Sequence, residues 1–156
     1  MQGYIGLYHG VSTVSWLIRK FTWGPYSHAA YITPSGSVIE SWHRGGVREM
    51  ESIHDGHTPG TVIDCYRIDG MTELQEDVFA RVLRSQIGRG YDWMGLCGFF
   101  RRKMIQNPDL WFCSELLVDR LEYVGVQLFL RILPSQISPS YMSTSPLLEL
   151  DHIAVV

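Results

Sequence analysis

The sequence predicts an α+β fold in one domain, and three observations carry that reading. The chain has 156 residues, 46% of them apolar, which suits one packed core and leaves no room for a second domain of ordinary size. Short runs rich in β-branched and aromatic residues, bounded by Gly and Pro, recur up to Ile68. Two later segments have helical spacing, and no repeat or linker separates them from the strands. The strands are therefore expected to pair mostly antiparallel within a single unit, residues 1–156.

Tyr4–Tyr8 reads as the first strand, followed by a break at Gly10-Val11-Ser12. Ser12 or Thr13 caps a helix that carries Val14, Trp16, Leu17, Ile18 and Phe21. Trp23-Gly24-Pro25 ends it, because Pro25 cannot continue a helix and restricts its predecessor. Ser27–Ile32 and Ser37–Trp42 are two strands, and Thr33-Pro34-Ser35-Gly36 places Pro and Gly as a tight turn does, so 27–42 is a β-hairpin. Residues 43–60 are loop with one short strand near Val47–Ile53, and Thr61–Ile68 is a further strand.

A helix is expected from about Glu73 to Ile87. Thr72 is its N-cap, Gln75 completes a capping box, and Leu74, Val78, Val82 and Leu83 share a face; Gly88 and Gly90 close it. Asp92–Phe100 reads as a second short helix and Asn107-Pro108-Asp109 as a break. Cys113–Val124 has helical spacing through Leu117, Leu121 and Val124 and ends at Gly125. Pro134, Pro139 and Pro146 punctuate a loop-rich tail that ends in a strand at Ile153–Val156.

Thirteen Lys plus Arg against sixteen Asp plus Glu give −3, and no basic run exceeds Arg101-Arg102-Lys103. That balance argues against nucleic acid as a partner. No stretch approaches the roughly 18 uninterrupted apolar residues of a transmembrane segment. The start Met1-Gln2-Gly3-Tyr4 has neither the basic region nor the apolar stretch of a secretory signal, so a cytoplasmic protein is expected. Cys65, Cys97 and Cys113 cannot all pair and show no CxxC or Cys/His spacing, which points to a reducing compartment and away from a zinc module.

Cys113 is the first candidate for chemistry, because Trp-Phe-Cys-Ser-Glu-Leu-Leu places it at a helix start. The helix dipole and unpaired N–H groups there are expected to lower a thiol pKa from about 8.5 and to stabilise an oxyanion later. The alternative is a small core residue. A thiolate needs a base and the base an orienting acceptor; His28 and Glu40, on the two arms of the hairpin, offer that pair. Pairing Thr33 with Val38 sets His28 nearly opposite His43 and Glu40 nearly opposite Tyr31, out of direct contact, and a bulge or another turn length shifts this.

The remaining groups read more plainly. His54-Asp55-Gly56-His57 has the composition of a metal loop without a partner at ligand spacing, and is read as a solvated loop. His9 and His152 are isolated. No Ser sits in a Gly-x-Ser-x-Gly elbow, and no phosphate-binding glycine loop opens a helix. The five tryptophans are read as mostly core or cleft lining.

Three segments together resemble the circularly permuted papain-like hydrolases of the NlpC superfamily. They are Trp23–Ile32 with Ser27-His28, the strand Gly36-Ser37-Val38-Ile39-Glu40-Ser41, and Trp111-Phe112-Cys113-Ser114-Glu115-Leu116, with Tyr91-Asp92 before the last. The nearest subgroup by these motifs is YiiX-like; lecithin:retinol acyltransferase is a more distant likeness. The resemblance implies a permuted papain-like fold, an antiparallel sheet or half-barrel with the Cys helix packed against it. It makes Cys113 the nucleophile, His28 the base and later the acid, Glu40 the group that orients His28, and the Cys113 N–H one oxyanion donor. Tyr8 and Tyr26 are candidates for the second donor. The implied activity is a cysteine hydrolase, cleaving the amide of a peptide or cell-wall fragment through a thioester, with no cofactor and no metal. The alternatives are an acyltransferase or lipid-directed acylase using the same three residues on an acyl substrate, and a non-catalytic binding module.

Overall fold

The computed structural model describes residues 2–92 and 110–156. The expected helix at 92–100 after its first residue, the break at 107–109, Trp93 and Cys97 lie outside the described residues. Eight strands and four α-helices are seen among these: β1 (Tyr4–His9), α1 (Thr13–Thr22), β2 (His28–Ile32), β3 (Val38–Trp42), β4 (Gly46–Met50), β5 (Val62–Ile68), α2 (Glu73–Arg84), β6 (Gly90–Tyr91), β7 (Leu110–Trp111), α3 (Cys113–Tyr123), α4 (Pro139–Met142) and β8 (Leu148–Val155). Six strands form one antiparallel sheet in the order β4-β3-β2-β1-β5-β8, and β6 and β7 make a two-residue parallel pair. The α+β class is thus observed. The last strand begins five residues before the expected Ile153, because the whole of β8 pairs along β5.

Side chains of a strand alternate between faces, and β2 is buried on both. Ala29 and Tyr31 join Ile5, Leu7 and Ile39 against Phe79, Leu83, Leu116, Leu117 and Leu121 of α2 and α3. Ala30 and Ile32 face the other way, with Tyr8, Val38, Ile63 and Cys65. Burying one Leu or Phe side chain contributes about 1.5–3 kcal/mol, so the helix-covered face is the main source of stability.

Helix α2 has its capping box on Thr72 and Gln75, yet turns a different face inward than the apolar pattern suggests. Glu76, Phe79, Ala80 and Leu83 are buried, whereas Leu74 is 71% exposed. The inward Glu76 accepts hydrogen bonds from the Tyr31 hydroxyl at 2.8 Å and from the Gly3 N–H. A carboxylate with partners tolerates burial, and this one ties α2 to β2 and to the residue that precedes β1.

Helix α1 buries Ile18 but leaves Val14, Trp16 and Leu17 exposed. Trp23 adopts a left-handed conformation at its C-cap (φ 53°) and is 94% exposed. Trp16 and Trp23 are therefore neither core nor cleft lining, while Trp111 is buried in the helix-covered core and hydrogen-bonds Gln86.

The hairpin differs from the expected register by one residue. Tyr31 pairs with Ile39 and Ile32 with Val38. Thr33 and Ser37 close a three-residue loop, with the Thr33 N–H donating to Ser37 O at 2.8 Å and Gly36 N–H to Thr33 O at 2.9 Å. Gly36 has φ +91°, the left-handed position that a three-residue hairpin loop reserves for glycine.

Candidate active site

The one-residue shift brings His28 and Glu40 onto one face. Continuing the observed pairing sets Glu40 across from Ala30 and His28 across from Trp42, so the two are diagonal neighbours, within reach for side chains of their length. His28 Nε2 lies 2.6 Å from Glu40 Oε2, and the carboxylate has no solvent exposure. On the next strand Arg48 is the direct partner of Glu40. Its Nε and Nη2 donate to Glu40 Oε1 at 2.9 and 2.6 Å, and its guanidinium stands 4.7 Å over the Trp42 ring.

A third donor comes from the loop between β4 and β5. His57 Nε2 lies 3.1 Å from the same Glu40 Oε2, its side chain only 4% exposed. Its ring stacks on Tyr8 at 4.5 Å and meets Trp42 edge-on at 4.9 Å. Gly56 permits this approach, since it has φ +73° and a Cβ there would stand 2.8 Å from the Arg48 guanidinium. The solvated-loop reading holds for His54 and Asp55, which are exposed, and fails for His57. No spacing rule marks His57 in the sequence; its partner is seventeen positions away. His9 and His152 are likewise not isolated, being paired with Asp64 at 3.1 Å and Asp151 at 2.8 Å.

The charge state follows from these contacts. Burial pushes the Glu40 carboxyl upward, but the His28 charge and the hydrogen bonds from His28 and His57 outweigh it and hold the group well below the usual carboxylate range. For His28 burial is the largest influence and lowers its pKa, against the opposing pull of Glu40. At neutral pH the ionised carboxylate accepts, so the neutral His28 ring carries its proton on Nε2 and leaves Nδ1 as a lone-pair base.

Cys113 opens α3 directly after its N-cap Phe112. Ser41 Oγ on β3 donates to Trp111 O at 2.6 Å, and Ser114 Oγ donates to Ile137 O at 2.6 Å, which fix the segment on either side. The thiol is buried among Ile18, Tyr91 and Phe112, and the backbone N–H groups of Ala29, Ser114 and Cys113 itself face it. Ala29 is the strand neighbour of His28. A helix start by itself predicts a lowered thiol pKa; here burial pushes it up to about 12, outweighing those N–H donors. Cys113 is therefore a neutral thiol at rest, and among the described residues no hydrogen bond joins it to His28.

Of the two tyrosines considered as donors, Tyr26 donates its hydroxyl to Asp64 at 2.6 Å and lies 2.9 Å from the Tyr66 hydroxyl. Tyr8 is the β1 partner of His28, and its ring meets His28 edge-on at 5.3 Å. Its buried hydroxyl has no hydrogen-bond partner among the described residues.

His28, His57, Tyr8 and Trp42 line a cavity of about 240 Å³ that also reaches Ile18 and Tyr91, the residues packed on Cys113. His28, Glu40 and His57 present three ligand-type atoms within 4.8 Å of one another. Arg48 holds Glu40 Oε1 and both imidazoles donate to Oε2, so the set is built as a hydrogen-bond network in which a fixed cation already neutralises the carboxylate. Among the described residues no helix is long and apolar enough to cross a membrane. Neither the family models nor the curated proteins yield a match to this chain.

Proposed function

We propose that this chain is a cysteine hydrolase of permuted papain-like architecture that cleaves an amide through a thioester on Cys113. The observation that carries the reading is the buried 2.6 Å contact between His28 Nε2 and Glu40, on a strand whose next residue turns its N–H to the thiol of Cys113. A histidine held by one nitrogen presents the other as a base.

With thiol and imidazole both neutral at rest, the nucleophile forms only during attack. His28 Nδ1 takes the thiol proton as Sγ adds to the carbonyl carbon, and Glu40 stabilises the resulting imidazolium. The N–H groups at the start of α3 receive the oxyanion. His28 then returns the proton to the leaving amine as the C–N bond breaks, and water hydrolyses the thioester with His28 again as base. Ser12, Ser27 and Thr61 share the cavity wall with Val14, Ile18 and Trp42, a mixed lining that offers both hydrogen bonds and apolar contact to a substrate.

The test uses p-nitrophenyl acetate as a minimal acyl donor, followed by peptide mass mapping. An acetyl group on Cys113, absent in His28→Ala, supports the proposal. Acetylation that ignores His28, or that falls equally on Cys65, overturns it.

A further inference from the structure

We propose that His57 is a positioning residue for the His28 base. By donating Nε2–H to the oxygen that also receives His28, it fixes the Glu40 carboxylate and ties the loop at 51–61 to the reaction centre. The inference rests on the Cys113–His28 reading above, and goes beyond a triad to a fourth residue that neither a motif nor a spacing reveals.

Three observations carry it. The side chain is almost fully enclosed although its loop is largely exposed, so the ring is inserted. Its plane lies 25° from that of Tyr8 at 4.5 Å, and Tyr8 is the cross-strand partner of His28. Finally, Nε2 reaches Oε2, the oxygen 2.6 Å from His28, and not Oε1, which Arg48 holds. Each carboxylate oxygen is thus pinned from outside, and the plane of the group cannot rotate away from His28.

The groups that face His28 are Glu40 and Trp42 on β3, His43 just after it, Arg48 on β4, Tyr8 on β1 and His57 on the loop, while the helix α3 that begins at Cys113 packs on its strand. Of these, His57 and Arg48 both oppose protonation of His28. Removing the His57 donor leaves more of the carboxylate charge for the His28 proton, so His28 must titrate at higher pH. A residue that only packed would change stability without moving that midpoint.

The experiment follows His28 by long-range ¹H–¹⁵N imidazole spectra, and Cys113 alkylation by iodoacetamide, from pH 4.5 to 8.5 in the full chain. His57→Phe keeps the ring stacked on Tyr8 and deletes the donor; His57→Gln retains an N–H for Oε2. We expect H57F to move the His28 midpoint to higher pH and to slow alkylation at pH 6 about tenfold, the weight of one net hydrogen bond. H57Q is expected to recover to within about threefold. A folded H57F with unchanged midpoint and rate overturns the proposal, as does an H57Q no better than H57F. The wild-type spectrum decides the matter should H57F not fold: His57 must be the Nε2–H tautomer, and an Nδ1–H tautomer overturns the assignment. Alkylation that depends on His28 but not on His57 defeats this inference alone, whereas alkylation indifferent to His28→Ala defeats the hydrolase reading itself.

Discussion

His28 Nε2 and Glu40 Oε2 stand 2.6 Å apart on adjacent antiparallel strands, although the two residues are not cross-strand partners. The contact exists because the Thr33–Ser37 loop sets a pairing in which they are diagonal on one face. One residue of slip would send one of them to the opposite face.

The buried carboxylate is therefore expected to be the least replaceable group of the site. Glu40→Gln keeps the shape but leaves Arg48 without its anion and lets the His28 ring choose its other tautomer. We expect acylation of Cys113 to fall by roughly 10²–10⁴-fold and folding stability by about 3–5 kcal/mol. Thermal unfolding and the p-nitrophenyl acetate reaction read the two separately; a stable, fully reactive Glu40→Gln variant would remove Glu40 from the mechanism.

Reactivity should follow the neutral form of His28. Because burial lowers its pKa, the rate of Cys113 acylation must rise with pH through a midpoint below the ordinary value of about 6.5. A midpoint at or above that value contradicts the buried, neutral base. It is measured from the pH dependence of p-nitrophenolate release.

Stability should be highest near neutrality and fall on both sides. Glu40 and His28 have folded-state pKa values below their unfolded ones, so the unfolded chain binds more protons on acidification. Their contributions are present above about 6.5 for His28 and about 4.3 for Glu40, and are lost as pH falls through the folded values. Cys113 is raised to about 12, and burial with hydrogen bonds to Asp64 and Glu76 holds Tyr26 and Tyr31 well above the usual phenol range. Their contributions are present below the unfolded values, about 8.5 for the thiol and 10 for the phenols, and are lost as pH rises beyond them. Urea unfolding at pH 5, 7 and 9.5 checks the shape; equal midpoints at all three would contradict it.

The hairpin loop offers a test of register without touching the site. Gly36 has φ +91° with open space around it, so Gly36→Ala meets only the backbone cost of about 1 kcal/mol. Stability is expected to fall by that amount with acylation of Cys113 unchanged. A loss of acylation in a folded Gly36→Ala protein would mean that the register itself had moved.

Much of this molecule is legible in its sequence because local rules decide it. The capping box at Thr72, the β-branched run 62–68 and the helix that begins at Cys113 are fixed by groups within a few residues of one another. The pattern of short strands and two longer helices is sufficient for the α+β class. The motifs around His28, Glu40 and Cys113 likewise single out those residues as candidates before any coordinates are known. Other features depend on distant partners. Leu74 points outward because Glu76 finds Tyr31 and Gly3, and His57 turns inward because Tyr8 and Glu40 receive it. The neutral state of Cys113 is of the same kind, since a helix start favours the thiolate locally while enclosure by Ile18, Tyr91 and Phe112 opposes it. Sequence specifies short-range geometry and residue chemistry; burial, hydrogen-bond partners and hence protonation arise from surroundings that only the packed chain brings together.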